Sequence, residues 1–517
     1  MKRCLVALAL VALLFAAPSA SAADATRQSA VFALIIGVNR SLDADVAPLR
    51  YADDDAARYL DLFRALGART YLLSSLDENT RRLHPQAAAE ARPARRGELG
   101  RAVSGLARDV AQARARGIRS VLYVIYAGHG DSGDDGWRLT LEDGRLDGSS
   151  LLKQVVNPAG ADQAHVIVDA CQAYLLAYER GPGGKRRRVG GFVELEAASR
   201  QGRVGYLLST STTGETHEWA GFEAGVFSHE IRSGLYGAAD ANADGIVSYA
   251  EIAAFVTRAN AAVVNERFRP RIVARTPGGS SALLDVRGLG KREVRFEGSE
   301  TAAHYLLEDP QGVRLLDFHG SRDVPLRLIR PPGNSPLYLR RLSDGTERVI
   351  PPSGEVVHLE TLVAEAPRAG TRGAAHQAFS TIFSLPFDPA AVAAYERNAA
   401  AEERAQLAAT ERSAARSRTF SIAGWTAVGV GTAALATGGV LELSAYALSD
   451  RAEKESQAQA ARRNDQIATR NLAATLFLAG GGAALGTGIA LLLWDTSPPA
   501  TLSVSTSAFD VSTTWRF

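Results

Sequence analysis

Between residues 31 and 285 the chain alternates short, dense apolar runs with stretches of helical periodicity, and this alternation narrows the fold more than any other feature. The runs fall at residues 32–38, 70–74, 121–127, 165–169 and 205–209 and are rich in Val, Ile, Leu and Tyr. Compact runs of this kind mark strands covered on both faces. Helical patterns lie between them at residues 53–66, 101–116 and 149–155. Strand–helix alternation predicts a mostly parallel sheet sandwiched by helices, an α/β fold. The working crevice of such a sheet lies outside the carboxyl ends of its strands.

Two residues at such ends carry chemistry. His129 follows the run VLYVIYAG, and Cys171 follows VIVDA. A thiolate is a strong nucleophile, and a neighbouring histidine can activate it and later protonate a leaving amine. Gly130 has no side chain, so its backbone can come close to a reacting carbonyl. The chain has 2 cysteines, and the other, Cys4, lies in a leader-like segment. Residues 1–22 read as a secretory signal peptide: Lys2 and Arg3, an apolar core at 5–16, and Ala20-Ser21-Ala22 as the cleavage site. The mature protein is therefore expected to be exported with a single thiol and no internal disulfide.

Beyond residue 285 the pattern changes. Residues 290–365 carry short alternating segments broken by Pro-Pro-Gly, Asp-Gly and Ser-Gly turns, which predicts a small antiparallel β domain. Residues 366–418 form a linker that turns Ala-, Glu- and Arg-rich and is read as a helical stalk. Two apolar stretches follow, 420–448 and 472–494, each long enough to span a bilayer and rich in Gly and Ala. The short charged loop 450–470 joins them as a C-terminal transmembrane helical hairpin, leaving residues 495–517 as a tail. A Gly/Ala-rich soluble hairpin is the alternative, and Glu442 inside the first stretch speaks for it. Export of the N-terminus places the α/β domain on the extracytoplasmic, periplasmic side of the cell membrane. The basic residues of the 450–470 loop suit a cytoplasmic side. Net charge is +2 and no nucleic-acid module is visible, which argues against nucleic acid as a partner.

YAGHGD followed by VDACQA, within an α/β frame, resembles the caspase and metacaspase cysteine peptidases, especially bacterial caspase-like proteins. The likeness covers a domain at residues 29–285 and extends to LRYADDDAARYLDLF and GVFSHEIRSGLYGAAD. It implies Cys171 as nucleophile, His129 as acid/base, and the amides of Gly130 and Cys171 as the oxyanion hole. Metacaspases cut after Arg or Lys, using acidic pocket residues that match Asp169 and Asp55 here. Asp53–Asp55 can equally cap a helix and complement its dipole. Trp219 falls where the family builds a pocket wall, with a core or lid role equally open. The linker after the nucleophile is where the family often cuts itself, which singles out Lys185, Arg186, Arg187 and Arg188. One departure is plain: Gln172, Ala173 and Tyr174 follow Cys171, without the glycine usual after the nucleophile.

The segment DANADGIVSYAE places Asp240, Asn242, Asp244, Ser248 and Glu251 at the ligand positions of an EF-hand loop, with Gly245 at the turn. Ca²⁺ is the one cofactor these residues suggest, and none is required for the thiol chemistry. A capped Asp/Gly turn is the alternative. The expectation is a membrane-anchored exported cysteine endopeptidase acting on protein or peptide substrates with Arg or Lys before the cut. A catalytically inactive caspase-like scaffold of the cell envelope, or a gingipain- or separase-like hydrolase, remains open beside it.

Overall fold

The computed structural model describes residues 29–133, 136–170, 179–180, 186–187, 202–210, 218–264, 269–278, 280–287, 292–331, 333–352, 356–365, 381–450 and 456–494. They fall into two compact units, Met1–Glu179 with Arg188–Arg397, and Arg180–Arg187 with Asn398–Phe517.

The first unit is built on strands β1 (Ala30–Val38), β2 (Arg69–Ser74), β3 (Ser120–Gly128), β4 (Gln163–Ala170), β5 (Val204–Thr210) and β6 (Arg271–Arg275). They form one sheet in the order β6-β5-β4-β3-β1-β2. The first five strands are mutually parallel, and β6 closes the edge antiparallel to β5. Helices α1 (Ala52–Ala65) and α2 (Arg96–Ala115) belong to opposite faces. Ala33 and Ile35 of β1 join the apolar cluster of Ala56, Leu60 and Phe63 on α1. Their neighbours Leu34 and Ile36 join the cluster of Leu99, Val103 and Leu106 on α2. Successive side chains thus enter two cores, which is why the strands read as unbroken apolar runs. Each fully buried aliphatic side chain stabilises this packing by about 1.5–3 kcal/mol. Two short helices, Glu78–Leu83 and Pro85–Glu90, and the antiparallel edge β6 were not foreseen from the apolar pattern.

Helices α3 (Val226–Ser233) and α4 (Tyr249–Asn260) complete this layer. The β region comprises β7 (Glu293–Phe296), β8 (His304–Glu308), β9 (Arg314–His319), β10 (Leu326–Ile329), β11 (Leu337–Arg341), β12 (Glu347–Ile350) and β13 (Val356–His358). It holds a four-stranded antiparallel sheet, β9-β8-β11-β12, and a three-stranded sheet, β10-β7-β13. The β7–β13 pair is parallel, an exception to the antiparallel expectation. The sequence shows local turns, but β13 returns to β7 over a long connection that no turn signal describes. Phe296, Tyr305 and Phe318 share one apolar cluster with Phe222 and Phe227, so the change of character near residue 290 is not a break in the core.

A buried polar knot fastens this contact. Asp317, fully buried, accepts from His229 Nε2 at 2.9 Å and His304 Nε2 at 3.1 Å, and pairs with Arg314. Its backbone N–H donates to Ser233 Oγ at 3.0 Å. Burial alone would raise its pKa, but Arg314 and the two histidines hold it well below the usual carboxylate range.

The second unit contains most of α5 (Pro389–Ser449) and all of α6 (Gln457–Trp494). Within them, Ala415–Ser449 and Gln457–Leu493 are long and apolar enough to cross a membrane. They meet through small residues. A Cβ on Gly431 would lie 2.8 Å from Gly481 O, and one on Gly424 3.2 Å from Gly488 O. Gly424, Gly431 and Gly438 recur at heptad spacing against Gly488, Gly481 and Ala474, so the two backbones approach closely.

Candidate active site

The register of two strands builds this site. Parallel pairing of β3 with β4 sets Gly128 opposite Ala170, the last residue of each strand. The residues next in sequence are His129 and Cys171. Cys171 lies outside the described residues. Ala170 is anchored through its N–H to Ser209 Oγ at 3.2 Å. Gly130 opens the strand Gly130–Gly133, which pairs with Gly136–Leu141.

His129 is buried, with Nε2 3.1 Å from the carbonyl oxygen of Asn39. A carbonyl only accepts, so Nε2 carries the proton and Nδ1 of the neutral ring holds the free lone pair. Burial lowers the pKa from its usual 6.5, and the Asn39 bond offsets part of that shift. The ring is therefore neutral at pH 7, the form a general base needs.

Asn39 is itself held. Its Nδ2 donates to Asp53 Oδ1 at 2.7 Å, while the Asp53 N–H returns to Asn39 Oδ1 at 3.2 Å. Asp53 Oδ2 also accepts the Asp77 N–H at 2.8 Å. The first aspartate of the acidic run thus orients the residue that orients His129. Sequence reasoning missed Asn39, because a backbone carbonyl leaves no residue signature.

The other expected acids do converge. A Cβ on Gly225 would lie 2.7 Å from Asp169 Oδ2 and 3.0 Å from Asp55 Oδ2, so only glycine fits between them. Asp169 Oδ2 accepts the Ser228 N–H at 3.0 Å, and Asp55 Oδ2 accepts the Gly225 N–H at 2.8 Å. Asp55 is also paired with Arg232 at 3.0 Å, with both side chains at most 2% exposed. Burial drives the Asp55 pKa well up, with Arg232 opposing and Asp169 adding to the rise; burial also raises Asp169. Arg232 was not singled out from sequence. It matches the charge of Asp55 internally and leaves Asp169 as the acid without an ion pair among the described residues.

Trp219 is 4% exposed, packed edge-on against Phe222 and lying beneath the Arg314 guanidinium of β9. Arg186 and Arg187 lie in a two-residue strand, while Lys185 and Arg188 fall outside the described residues.

In the Asp240–Glu251 loop, Asp240 accepts the N–H groups of Asp244 (3.1 Å) and Gly245 (2.9 Å). Glu251 accepts those of Ala241 (3.1 Å) and Ser248 (2.8 Å), and Ser248 caps α4 in return. Burial, with Glu251 and Asp244 nearby, pushes the Asp240 pKa up to about 6. Asn242 bridges to Asp244 at 3.0 Å. Among the described residues no group of three or more His, Cys, Asp or Glu side chains is gathered as a metal ion would gather them.

Comparison with family models and with curated proteins returns no match. Among solved structures, that of pro-sf-caspase-1 is similar at TM-score 0.29 and 12% identity, over 48% of this chain and 93% of that one. Caspase-1 from Spodoptera frugiperda is similar at TM-score 0.29 and 10% identity, over 48% of this chain and 88% of that one.

Proposed function

We propose that the chain is an exported, membrane-anchored cysteine endopeptidase that cuts after Arg or Lys. One observation carries this reading: the β3–β4 register ends both strands together at Gly128 and Ala170, directly before His129 and Cys171. The Cys171 thiol passes its proton to His129 Nδ1, and the thiolate attacks the scissile carbonyl carbon. The amides of Gly130 and Cys171 hold the resulting oxyanion. Collapse expels the amine, which takes the proton from His129, and water then hydrolyses the thioester with His129 as base. Asp169 supplies the negative charge that selects a cationic side chain, since Arg232 already matches Asp55.

Anchoring rests on the two apolar helices, which leave Ile422, Val430, Val440, Leu443, Leu472 and Leu476 exposed, as a lipid environment requires. Ca²⁺ is the ligand proposed for Asp240, Asn242, Asp244, Ser248 and Glu251. The spacing supports it, as do the turn at Gly245 (φ 80°) and the ladder of Ile246–Ser248 with Ala282–Asp285.

The test is hydrolysis of fluorogenic peptides ending in Arg, Lys or Asp by the detergent-solubilised protein, with and without Ca²⁺. Turnover is expected on Arg and Lys peptides, at least about 100-fold above Asp peptides, as a buried like charge costs several kcal/mol. Turnover only on Asp peptides would discard the role of Asp169. Equal rates and equal melting temperatures with Ca²⁺ and with chelator would discard the cation site.

Self-cleavage at Lys185–Arg188 is proposed as well, because these four cationic residues match the specificity of the site. Replacing all four with Ser is expected to leave the chain intact on a denaturing gel where the parent yields two fragments. Identical fragments from both proteins would refute it.

A further inference from the structure

Tyr126 lies on β3, shortly before His129, and is 1% exposed. Its ring sits in the apolar cluster of Val38, Leu139 and Leu141, yet its hydroxyl reaches the backbone of the site. Tyr126 Oη lies 2.7 Å from His129 O and 2.8 Å from Thr140 O, and shares its one proton between them. It accepts the Thr140 N–H at 3.2 Å in return, and that N–H also reaches His129 O at 3.1 Å.

Gly128 makes room for this hydroxyl. Residues 126 and 128 share one face of β3. A Cβ at position 128 would lie 2.7 Å from Tyr126 Oη and 2.9 Å from its Cζ, so a side chain there would push the hydroxyl away.

The carbonyl oxygen held in this way belongs to the same peptide unit as the Gly130 N–H. That unit is planar and trans, so its N–H points opposite to its C=O. His129 O faces Thr140, on the strand Gly136–Leu141, and the Gly130 N–H therefore faces away from that strand. The register agrees. Gly130 stands opposite Leu139, and the Thr140–His129 bond flanks this pair, which makes it the kind that exchanges no hydrogen bonds. Gly130–Gly133 is also the edge strand of its three-stranded sheet, so the N–H is turned to the open edge. A donor fixed in direction before the reaction begins is what an oxyanion hole needs.

We infer that Tyr126 is a positioning residue for the oxyanion hole: its hydroxyl fixes the His129–Gly130 peptide and so aims the Gly130 N–H. The inference rests on the Cys171–His129 reading and adds to it a residue that touches no reacting atom. The His129 ring has a separate anchor in Asn39 O, so the peptide can be disturbed while the ring stays in place.

Tyr126→Phe removes the hydroxyl and keeps the ring. On an Arg-ending peptide its kcat is expected to fall about tenfold, with KM little changed. That is less than the roughly 10²–10³ that deleting a donor costs, because the N–H remains but loses its aim. A peptide aldehyde ending in Arg takes the thiol across its carbonyl, sulfur to carbon and proton to oxygen, and sets that oxygen in the hole. Its affinity is expected to weaken by a similar factor. Alkylation by iodoacetamide is the contrast: the thiolate displaces iodide at a saturated carbon and no oxyanion develops, so its rate and pH profile should match the parent's. Melting temperatures establish that the variant folds. If it does not, Gly128→Ala, which displaces the hydroxyl instead of removing it, is read in the same way. Parent-like kcat and aldehyde affinity in the variant would overturn the inference and leave the peptidase standing. Alkylation slowed as much as kcat would also overturn it, since Tyr126 would then act through the histidine. Absence of Cys171-dependent turnover in the parent would overturn the peptidase reading, and this inference with it.

Discussion

Cys171→Ala lowers kcat/KM on an Arg-ending peptide by about 10⁴-fold or more, to the residual rate that binding and oxyanion stabilisation alone support. Ala has no lone pair to attack with, so no thioester forms. His129→Ala is expected to fall nearly as far. The double variant should be no worse than either single one, because the two groups act as a unit and their losses do not add. The pH profile of the parent carries a further sign. Burial lowers the His129 pKa below 6.5, so the ring stays neutral down to that lower value. The acid limb of kcat/KM is therefore expected below pH 6.5, with activity lost as His129 gains a proton. Unchanged turnover in Cys171→Ala, measured by active-site titration alongside rate, would remove the peptidase reading. The chain would then be left as a binding module of the same fold.

Much of this arrangement was legible in the chain. β1, β3 and β4 announce themselves because a strand covered on both faces has no polar alternate, and the structure sends Leu34 and Ile35 into opposite cores. The place of His129 followed from the same logic, at the end of a strand in a parallel sheet. Other parts left no trace. The Asn39 carbonyl that fixes the His129 tautomer belongs to the backbone, and its anchor Asp53 looked like any acidic first-turn residue. Arg232 sits on a helix that reads as amphipathic, yet every residue of that helix is buried. Period alone cannot reveal a cation whose partner, Asp55, comes from α1, far away in sequence. His304 read as an ordinary residue, because its partner Asp317 and the Arg314 that pairs with Asp317 lie on the adjoining strand, and His229, which also bonds Asp317, comes from another layer. Long-range pairing of buried polar groups is decided by topology, and one sequence carries topology only through its strands and turns.

Arg232 also sets the second large effect. Arg232→Met is expected to cost about 3–5 kcal/mol of stability, because it leaves Asp55 buried at 2% exposure without its counter-charge. The cost should depend on pH with a definite sign. Burial already raises the Asp55 pKa above its unfolded value, and loss of Arg232 raises it further. The folded variant then binds a proton that the unfolded chain has released, so its stability falls as pH rises. The deficit should be largest near pH 8 and shrink towards pH 4, where folded Asp55 is protonated in parent and variant alike. Asp55→Asn alone leaves the Arg232 charge buried and should be costly too. The Arg232→Met/Asp55→Asn double variant should stand closer to the parent than either single variant, since it removes both charges. Urea unfolding of all four proteins, followed by tryptophan fluorescence at several pH values, measures this cycle. Additive losses, or a deficit in Arg232→Met that does not change with pH, would mean that Asp55 is not held ionised by Arg232. Asp55 would then rejoin Asp169 as a free acid for a cationic substrate side chain. Strong coupling would instead leave substrate charge selection to Asp169, and Asp169→Asn would then be the variant that loses preference for Arg and Lys while keeping turnover on neutral peptides.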